Sequence, residues 1–426
     1  MSKHVFLCLF LLTPELCFGA GNIKAESIAA MIQEALANNP EIRSASARIK
    51  MTDQLVPQAS SLDDPEISFQ LMEIPGFQFD RAMYANLGIE QMIPYPAKLG
   101  KRKAIASVEG EHARRERGEL VLRVIAQLKV DYAMLWFSRV SLDLNRENQK
   151  LLQQVLQLAR TQYSAGKATQ QEVLRANIEL ERLRTDERSI ESDASKSEAM
   201  LRAALNRPSS ASIGDVELPP FLPLPYTSME LIEFARNHRP MVINDSLSVV
   251  ESGLKVGLMN EEYIPDFSVS LQYVTYPGYT RSTWTAMVGV SIPFAPWTLS
   301  KSSAKVQEAA AEEEMNQAAF DATQNMVNAG IQEAYSNVRS LESKVTSFTS
   351  TILPETEQAL QATLADYQTG RTSFLMLLDT YRMSQEVRME AAMARMNYER
   401  AIALLEQQVG VIDFSHTALT GEEIGQ

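Results

Sequence analysis

Two stretches of the chain, 98–163 and 302–366, carry apolar residues three and four positions apart over an unusual length. This spacing places the apolar side chains along one face of a helix. As a single helix, the proline-free first stretch would be about 98 Å long. Such a helix must pack against neighbouring helices along its whole length, which indicates a coiled-coil-like assembly. The second stretch contains Pro354, so we expect a kink at that point.

Four shorter segments alternate apolar and polar residues, and they form two groups that predict β-hairpins over 65–93 and 265–293. Alternation is typical of strands with one apolar and one polar face. Two soluble hairpins, each packed on a helix, would satisfy this pattern. The segments also have the length of about 9–11 residues that a tilted membrane strand needs. Aromatic residues gather near the predicted turns, at Phe77, Phe79, Tyr84, Tyr276, Tyr279 and Trp284.

A membrane interpretation of these hairpins requires more than one chain. Four strands cannot close a barrel, and an open strand edge is not tolerated in lipid. Two chains would give eight strands around an interior filled by side chains, whereas three chains would give twelve strands around a channel.

The order of these elements occurs twice, because a unit of about two hundred residues is duplicated. Matched segments such as 31–40 and 231–240, which both end in proline, all lie 199 to 204 positions apart. Each unit is predicted to contain short helices, a hairpin, a long helix, a turn and a return helix. The short helices include 41–62 and 241–262, and the return helices are 170–205 and 372–410. The expected division is a leader at 1–20, a first repeat at 21–205, a connector at 206–227, a second repeat at 228–410 and a flexible tail at 411–426.

The N-terminal leader indicates the compartment of the protein, and the net charge limits the kinds of partner that it can bind. Residues 1–20 combine a basic start with a short apolar run and small residues near Ala20, which predicts a secretory signal peptide. Both cysteines, Cys8 and Cys17, lie within it, so the mature chain would have no disulfide. Lipidation at Cys17 is the alternative for this segment. The net charge of −13 argues against a nucleic-acid partner.

Each long helical stretch ends in the same short motif. The first copy begins at Tyr163 and continues through Gly166 to Lys167, and the second copy begins at Tyr367 and continues through Gly370 to Arg371. Glycine ends helices because it accepts the left-handed conformation. The sequence therefore predicts two helical hairpins with matching tips near 163–170 and 367–373.

The duplicated helix–hairpin–helix unit, the stretch QMIPYPAKLGKR (91–102) and the two Y-x-x-G turns resemble the TolC-like outer-membrane efflux proteins. The resemblance covers about 24–410. It implies a mainly α fold with a small β part. It also implies a homotrimer in which a twelve-stranded outer-membrane β-barrel, with four strands per chain, continues into a long periplasmic α-helical barrel. Its implied partners are outer-membrane lipid, a periplasmic adaptor protein and an inner-membrane pump of the RND type.

The same resemblance implies roles for the tips, which would lie at the periplasmic end of the tunnel and form its gate. Glu172 falls where the family often has an acidic lumen-facing residue, and the matching position in the second tip is Met376. We therefore expect one ring of three carboxylates rather than two. The residues expected at the gate are Tyr163, Gly166, Lys167, Glu172, Tyr367, Gly370, Arg371 and Thr372.

No catalytic, cofactor or metal site is predicted. The histidines outside the leader, His112, His238 and His416, are scattered, and no phosphate loop or nucleophile motif occurs. The expected function is a passive outer-membrane exit duct of a tripartite efflux pump or a type I secretion system. Metal cations are one candidate cargo, because IPYPAKL resembles a form found in the heavy-metal branch, although Ala97 replaces its usual glycine. The alternative is a periplasmic coiled-coil scaffold without channel activity.

Overall fold

The computed structural model describes residues 26–74, 76, 84–276, 282–293 and 295–414. The leader at 1–20, most of the predicted tail, His416 and the turn aromatics Phe77, Phe79 and Tyr279 lie outside the described residues. The first half contains α1 (Ile28–Asn38), α2 (Pro40–Asp53), α3 (Leu55–Ser60), β1 (Glu66–Met72), β2 (Tyr84–Ile93), α4 (Pro96–Ser164) and α5 (Gln170–Ala204). The second half contains α6 (Ser228–His238), α7 (Pro240–Glu261), β3 (Phe267–Thr275), β4 (Ser282–Val290), α8 (Leu299–Ser347), a π-helical segment (Phe348–Ile352), α9 (Leu353–Gln368) and α10 (Phe374–Val409).

The duplication predicted from the sequence is visible in this order of elements, since each half contains short helices, two strands, a long helical arm and a return helix. Both halves enter their second helix through the same chemistry. Pro40 and Pro240 occupy the first turn of α2 and α7, where the missing N–H has no intrahelical acceptor to lose. The preceding residue of each is extended, as a residue before proline prefers.

The two long arms differ at the predicted proline. The first arm is a single helix of 69 residues, Pro96–Ser164. The second arm changes to a π-helix over Phe348–Ile352, which ends two residues before Pro354. The wider π turn accommodates a residue that cannot donate to the helical ladder. The predicted interruption is therefore present, in the form of a five-residue π segment.

The four strands form one antiparallel sheet in the order β1-β2-β3-β4. The pairing of β2 with β3 joins the two halves of the chain, with Ile89 opposite Leu271. The register places most of the apolar residues of the four strands on one face, and many of these side chains are exposed in the single chain: Ile67, Phe69, Leu87, Ile89, Phe267, Val269, Leu271, Trp284, Val288 and Val290. The helices beneath do not cover this face. A soluble sheet would bury such a face, whereas a membrane strand presents it to lipid.

Within the part of the chain that the structure describes, no helix is both long enough and apolar enough to cross a membrane.

Among the described residues, the buried hydrophobic side chains form three clusters. One cluster lies in the second half around α6, α8 and α10, and another joins α1, α2 and α4 to the connector. The third cluster lies near the tips and contains residues of both halves, from α4, α5, α9 and α10. The two helical hairpins therefore pack against each other at the end of the molecule where the repeated turns lie.

Candidate functional site: the paired hairpin tips

The first turn stops α4 through its glycine. Gly166 has a φ of +72°, a conformation that side chains with a Cβ disfavour. Its N–H donates to the carbonyl of Tyr163 at 2.9 Å, and the N–H of Lys167 donates to the carbonyl of Gln162 at 2.8 Å. These two bonds form a Schellman motif, which satisfies the last carbonyls of the helix.

The second turn has the same backbone. Gly370 has a φ of +77°, and its N–H donates to the carbonyl of Tyr367 at 3.1 Å. The N–H of Arg371 donates to the carbonyl of Asp366 at 2.8 Å. The Y-x-x-G spacing is thus the spacing of a Schellman motif, with tyrosine at its last-turn acceptor and glycine at its left-handed residue.

The return helices begin alike but carry different side chains in the first turn. In α5, the backbone N–H of Thr169 donates to the Glu172 carboxylate at 3.3 Å, as in a capping box. In α10, the N–H of Met376 donates to Ser373 Oγ at 3.3 Å. Glu172 and Met376 occupy the same position in the two helices, three residues after the cap. Among the described residues, the structure therefore places one carboxylate at this position per chain.

The two hairpins are joined at the tip by Tyr367. Its hydroxyl donates to Glu172 Oε2 at 3.3 Å, and its ring lies edge-on to Phe374 with the centroids 5.9 Å apart. Tyr367 is only 7% exposed, whereas Tyr163, its counterpart in the first turn, is 48% exposed. Burial raises the pKa of Tyr367 to about 12, and the charge and hydrogen bond of Glu172 act in the same direction. The hydroxyl therefore remains a donor throughout the physiological pH range.

A second contact between the hairpins lies one heptad farther along α5. The guanidinium of Arg382, on α10, donates to both carboxylate oxygens of Glu179 at 3.3 and 2.7 Å. Glu179 is buried while Arg382 is half-exposed, and the hydrogen bonds to Glu179 raise the pKa of Arg382. Beside this pair, the hydroxyl of Tyr381 donates to the carbonyl of Asn148 on α4 at 3.0 Å.

Sequence reasoning did not identify Glu179 and Arg382. A usable signal was present, because Glu179 follows Glu172 by seven residues and both lie on the stripe of α5 that faces the other hairpin. A carboxylate on a buried heptad position needs a donor.

The remaining predicted gate residues occupy the tips without linking the hairpins in the described chain. Arg371 forms an ion pair at 2.6 Å with Asp366 of its own hairpin, and both groups are largely exposed. Lys167 and Gly166 are exposed, and Thr372 is half-buried. The structure brings Tyr367 and Glu172 together, and it places Arg371 within its own hairpin. The gating roles of all these residues stay predictions.

The carboxylates of the tips do not form a chelating cluster. Over the described ranges, no group of three or more histidine, cysteine, aspartate or glutamate side chains is arranged to hold a metal ion.

A family model described as "Outer membrane efflux protein" matches residues 31–207 and again residues 231–411. The chain belongs to the outer membrane efflux protein family. The two matches coincide with the two halves of the duplication, and together they cover most of the chain. No curated protein sequence matches the chain significantly.

Solved channels share the fold at low sequence identity. The outer-membrane channel OprN is 18% identical, with 90% of this chain and 89% of OprN superposed at a TM-score of 0.75. VceC of Vibrio cholerae is 15% identical over 90% of this chain and 96% of its own, at a TM-score of 0.74. The open state of the MtrE channel of Neisseria gonorrhoeae is 15% identical over 90% and 89%, at a TM-score of 0.73.

Family membership confirms the architecture expected from the sequence. Outer membrane efflux proteins are homotrimeric channels, with a β-barrel in the outer membrane and a large periplasmic barrel of helices. They work with adaptor proteins and inner-membrane pumps, and the family is one of efflux ducts rather than enzymes. The sheet described above is the barrel segment of one protomer, which explains its exposed apolar face.

Proposed function

We propose that this efflux channel is a passive exit duct that is closed at rest by contacts between its own two hairpins at the periplasmic tip. An inner-membrane pump supplies the energy, and the channel supplies a path to the outside. Opening separates the tips, which the family architecture allows because each hairpin is a long lever attached to the barrel at one end only.

The observation that carries this proposal is the hydrogen bond from Tyr367 to Glu172, which joins α9 of one hairpin to α5 of the other. A hydrogen bond to a carboxylate is stronger than one between neutral groups, so it can hold a closed state. The bond also lies at a partly exposed end of the molecule, where a docking partner can compete for the carboxylate.

The ion pair of Glu179 with Arg382 supports the same closed state from a position deeper in the bundle. Because Glu179 is buried, breaking this pair without replacing the donor leaves a carboxylate without its cation. The tip is thus held at two levels, one accessible at the end and one protected within the helices.

In a homotrimer Glu172 becomes a ring of three carboxylates around the axis. Rings of carboxylates favour cations in pores. The hydroxyl of Tyr367 is a neutral donor and adds no opposing charge to the ring, so closing the tip and selecting cations are compatible roles for one residue.

The proposed partners are a periplasmic adaptor that binds the tips and an inner-membrane pump of the RND type. The proposed cargo includes metal cations, on the strength of the IPYPAKL stretch at 93–99. Over the described residues the channel holds no chelating cluster, which suits a duct whose pump selects the cargo.

The test is conductance in planar lipid bilayers. Replacing Tyr367→Phe together with Arg371→Ser should raise the conductance of the purified trimer, because the hydroxyl that bonds to Glu172 is lost and Arg371, whose gating role is predicted, no longer pairs with Asp366. Tyr163→Phe is the matched control, since it removes the equivalent hydroxyl of the first turn and keeps the ring. A double variant that conducts no better than the parent would contradict gating at the tip. A chain found as a soluble periplasmic monomer would contradict the channel itself.

A further inference from the structure

The two hairpins expose different amounts of the same surface. Residues 204 positions apart in the sequence occupy equivalent places near the two tips. Leu378 of α10 is 4% exposed because it packs against the other hairpin, whereas its equivalent Leu174 of α5 is 52% exposed. The tyrosine pair shows the same difference as the leucine pair, since Tyr367 of the second hairpin is buried and Tyr163 of the first is exposed. A face that is covered on the second hairpin is therefore uncovered on the first.

For the face that receives these contacts, the first hairpin is the covered copy and the second hairpin is the exposed one. On α5, Glu172 and Glu179 accept hydrogen bonds from the second hairpin. The equivalent positions on α10 are Met376 and Met383, and both methionines are exposed. The second hairpin thus carries an uncovered copy of the face that the first hairpin uses inside the chain.

The residues that would meet these methionines are also known from the duplication. Within the chain, Tyr367 and Arg382 contact Glu172 and Glu179. Their equivalents on the first hairpin are Tyr163 and Ile178, and both are exposed. Both exposed faces are therefore apolar. The first hairpin exposes Tyr163 and Ile178, and the second hairpin exposes Met376 and Met383.

We infer that a second copy of this chain covers these faces, so that Tyr163 packs on Met376 of the partner subunit and Ile178 packs on Met383 of the partner subunit. Each chain carries both halves of the contact, one on each hairpin, as a head-to-tail ring requires. This inference rests on the proposed function, since it places the six hairpins of three chains around one axis.

The inference assigns different chemistry to the two kinds of hairpin contact. Contacts within a protomer add hydrogen bonds and an ion pair to apolar packing, whereas the inferred contacts between protomers are apolar. Salt and charged partners weaken ionic contacts far more than apolar ones. A charged partner that binds the tip should therefore weaken the Tyr367–Glu172 bond within a protomer before it weakens the apolar contact between protomers.

Cross-linking of introduced cysteines tests this arrangement in the full-length protein. The only cysteines of the sequence, Cys8 and Cys17, lie in the predicted leader, and the parent protein reports any background reaction. The variant Tyr163→Cys/Met376→Cys, treated with a short bismaleimide in detergent, should move most of the chain from the monomer to a covalent trimer on a denaturing gel. The matched control Glu172→Cys/Tyr367→Cys should also react with the reagent and lose its free thiols. It should still migrate as a monomer on the gel, because that contact lies within one chain.

The outcomes separate this inference from the channel proposal. A 163/376 variant that stays at monomer mass while the control reacts, in a protein that is a conducting trimer, overturns the inference alone. A covalent trimer from the control pair overturns it as well, because the polar contact would then lie between chains. A parent protein that is neither trimeric nor conducting overturns the channel proposal instead.

Discussion

The return helices α5 and α10 share a backbone and differ in chemistry. Both follow a Schellman turn with a glycine at positive φ, and both begin at a hydroxyl-bearing cap residue. At two positions one heptad apart, α5 carries Glu172 and Glu179 where α10 carries Met376 and Met383. The backbone geometry of the tip is the same in both copies, whereas the side chains differ, so that α5 accepts hydrogen bonds from the other hairpin and α10 exposes methionines at the matching positions.

The difference shows which features of a repeated unit are free to change. The turn glycines are fixed by backbone conformation, because a residue with a Cβ is strained at positive φ. At the heptad positions, the residue type is constrained only by the side chains that pack opposite it. Replacing residues at matched positions in the two hairpins can therefore separate backbone effects from contact effects.

The largest expected effect is at the buried ion pair. Arg382→Met should lower the free energy of unfolding by about 2 kcal/mol, because Glu179 stays buried without its cation while the half-exposed guanidinium site admits some solvent. Urea unfolding of the detergent-solubilised protein, followed by circular dichroism, measures it. The control is Arg184→Met, which removes an exposed pair with Glu181 inside α5 and should cost about 0.5 kcal/mol or less. Equal losses in the two variants would contradict a buried link between the hairpins.

That pair also marks the limit of prediction from the sequence. Apolar spacing predicted the long helices, alternation predicted the strands, and Gly166 and Gly370 predicted the turns. Periodicity identifies the face of a helix but not its partner, and Glu179 and Arg382 are 203 residues apart. The pairing of β2 with β3 was missed for the same reason, since local alternation predicts hairpins and leaves the order of strands open.

The π segment illustrates a second limit. Pro354 predicted an interruption of the long helix, because proline cannot donate to the ladder. How the helix absorbs the proline depends on packing around the preceding turn, where Phe348 is buried in the core of the second half. That environment is set by residues far away in the chain, so a local rule gives the place of the interruption and not its form.

The second prediction concerns the turn backbones, which should respond equally. Gly166→Ala and Gly370→Ala should each lower the free energy of unfolding by about 1.5 kcal/mol, because an alanine at this φ brings its Cβ close to the neighbouring carbonyl. A methyl group added to either glycine would meet no atom of another part of the described chain within 4 Å, so steric clashes should not distinguish the two variants. The same unfolding measurement applies. A loss at one glycine only would show that the two turns are not equivalent.

The third prediction contrasts the two tyrosines. Tyr367→Phe removes a buried hydroxyl and its bond to Glu172, so the free energy of unfolding should fall by about 1 kcal/mol. Tyr163→Phe should leave it unchanged, since it keeps the ring, which is exposed in the single chain, and removes only the hydroxyl. Hydrogen exchange at the first turn of α5 should accelerate in the first variant alone. Equal acceleration in both variants would show that the tyrosines act through the turns and not through the contact.

The smallest effect is expected from giving the second tip the carboxylate it lacks. Met376→Glu places an acid three residues after Ser373, where it can cap α10 as Glu172 caps α5, and this capping should stabilise the helix by about 0.5 kcal/mol. In the trimer the same change adds a second ring of three carboxylates, so the reversal potential in a KCl gradient should shift towards that of potassium. Glu172→Gln should shift it in the opposite direction, because it removes the first ring. If the partner subunit covers Met376, the added charge also weakens the trimer, and the gain in the helix is then offset by a loss at the interface. A variant with greater cation selectivity and unchanged trimer stability would therefore place position 376 in the lumen and not between protomers.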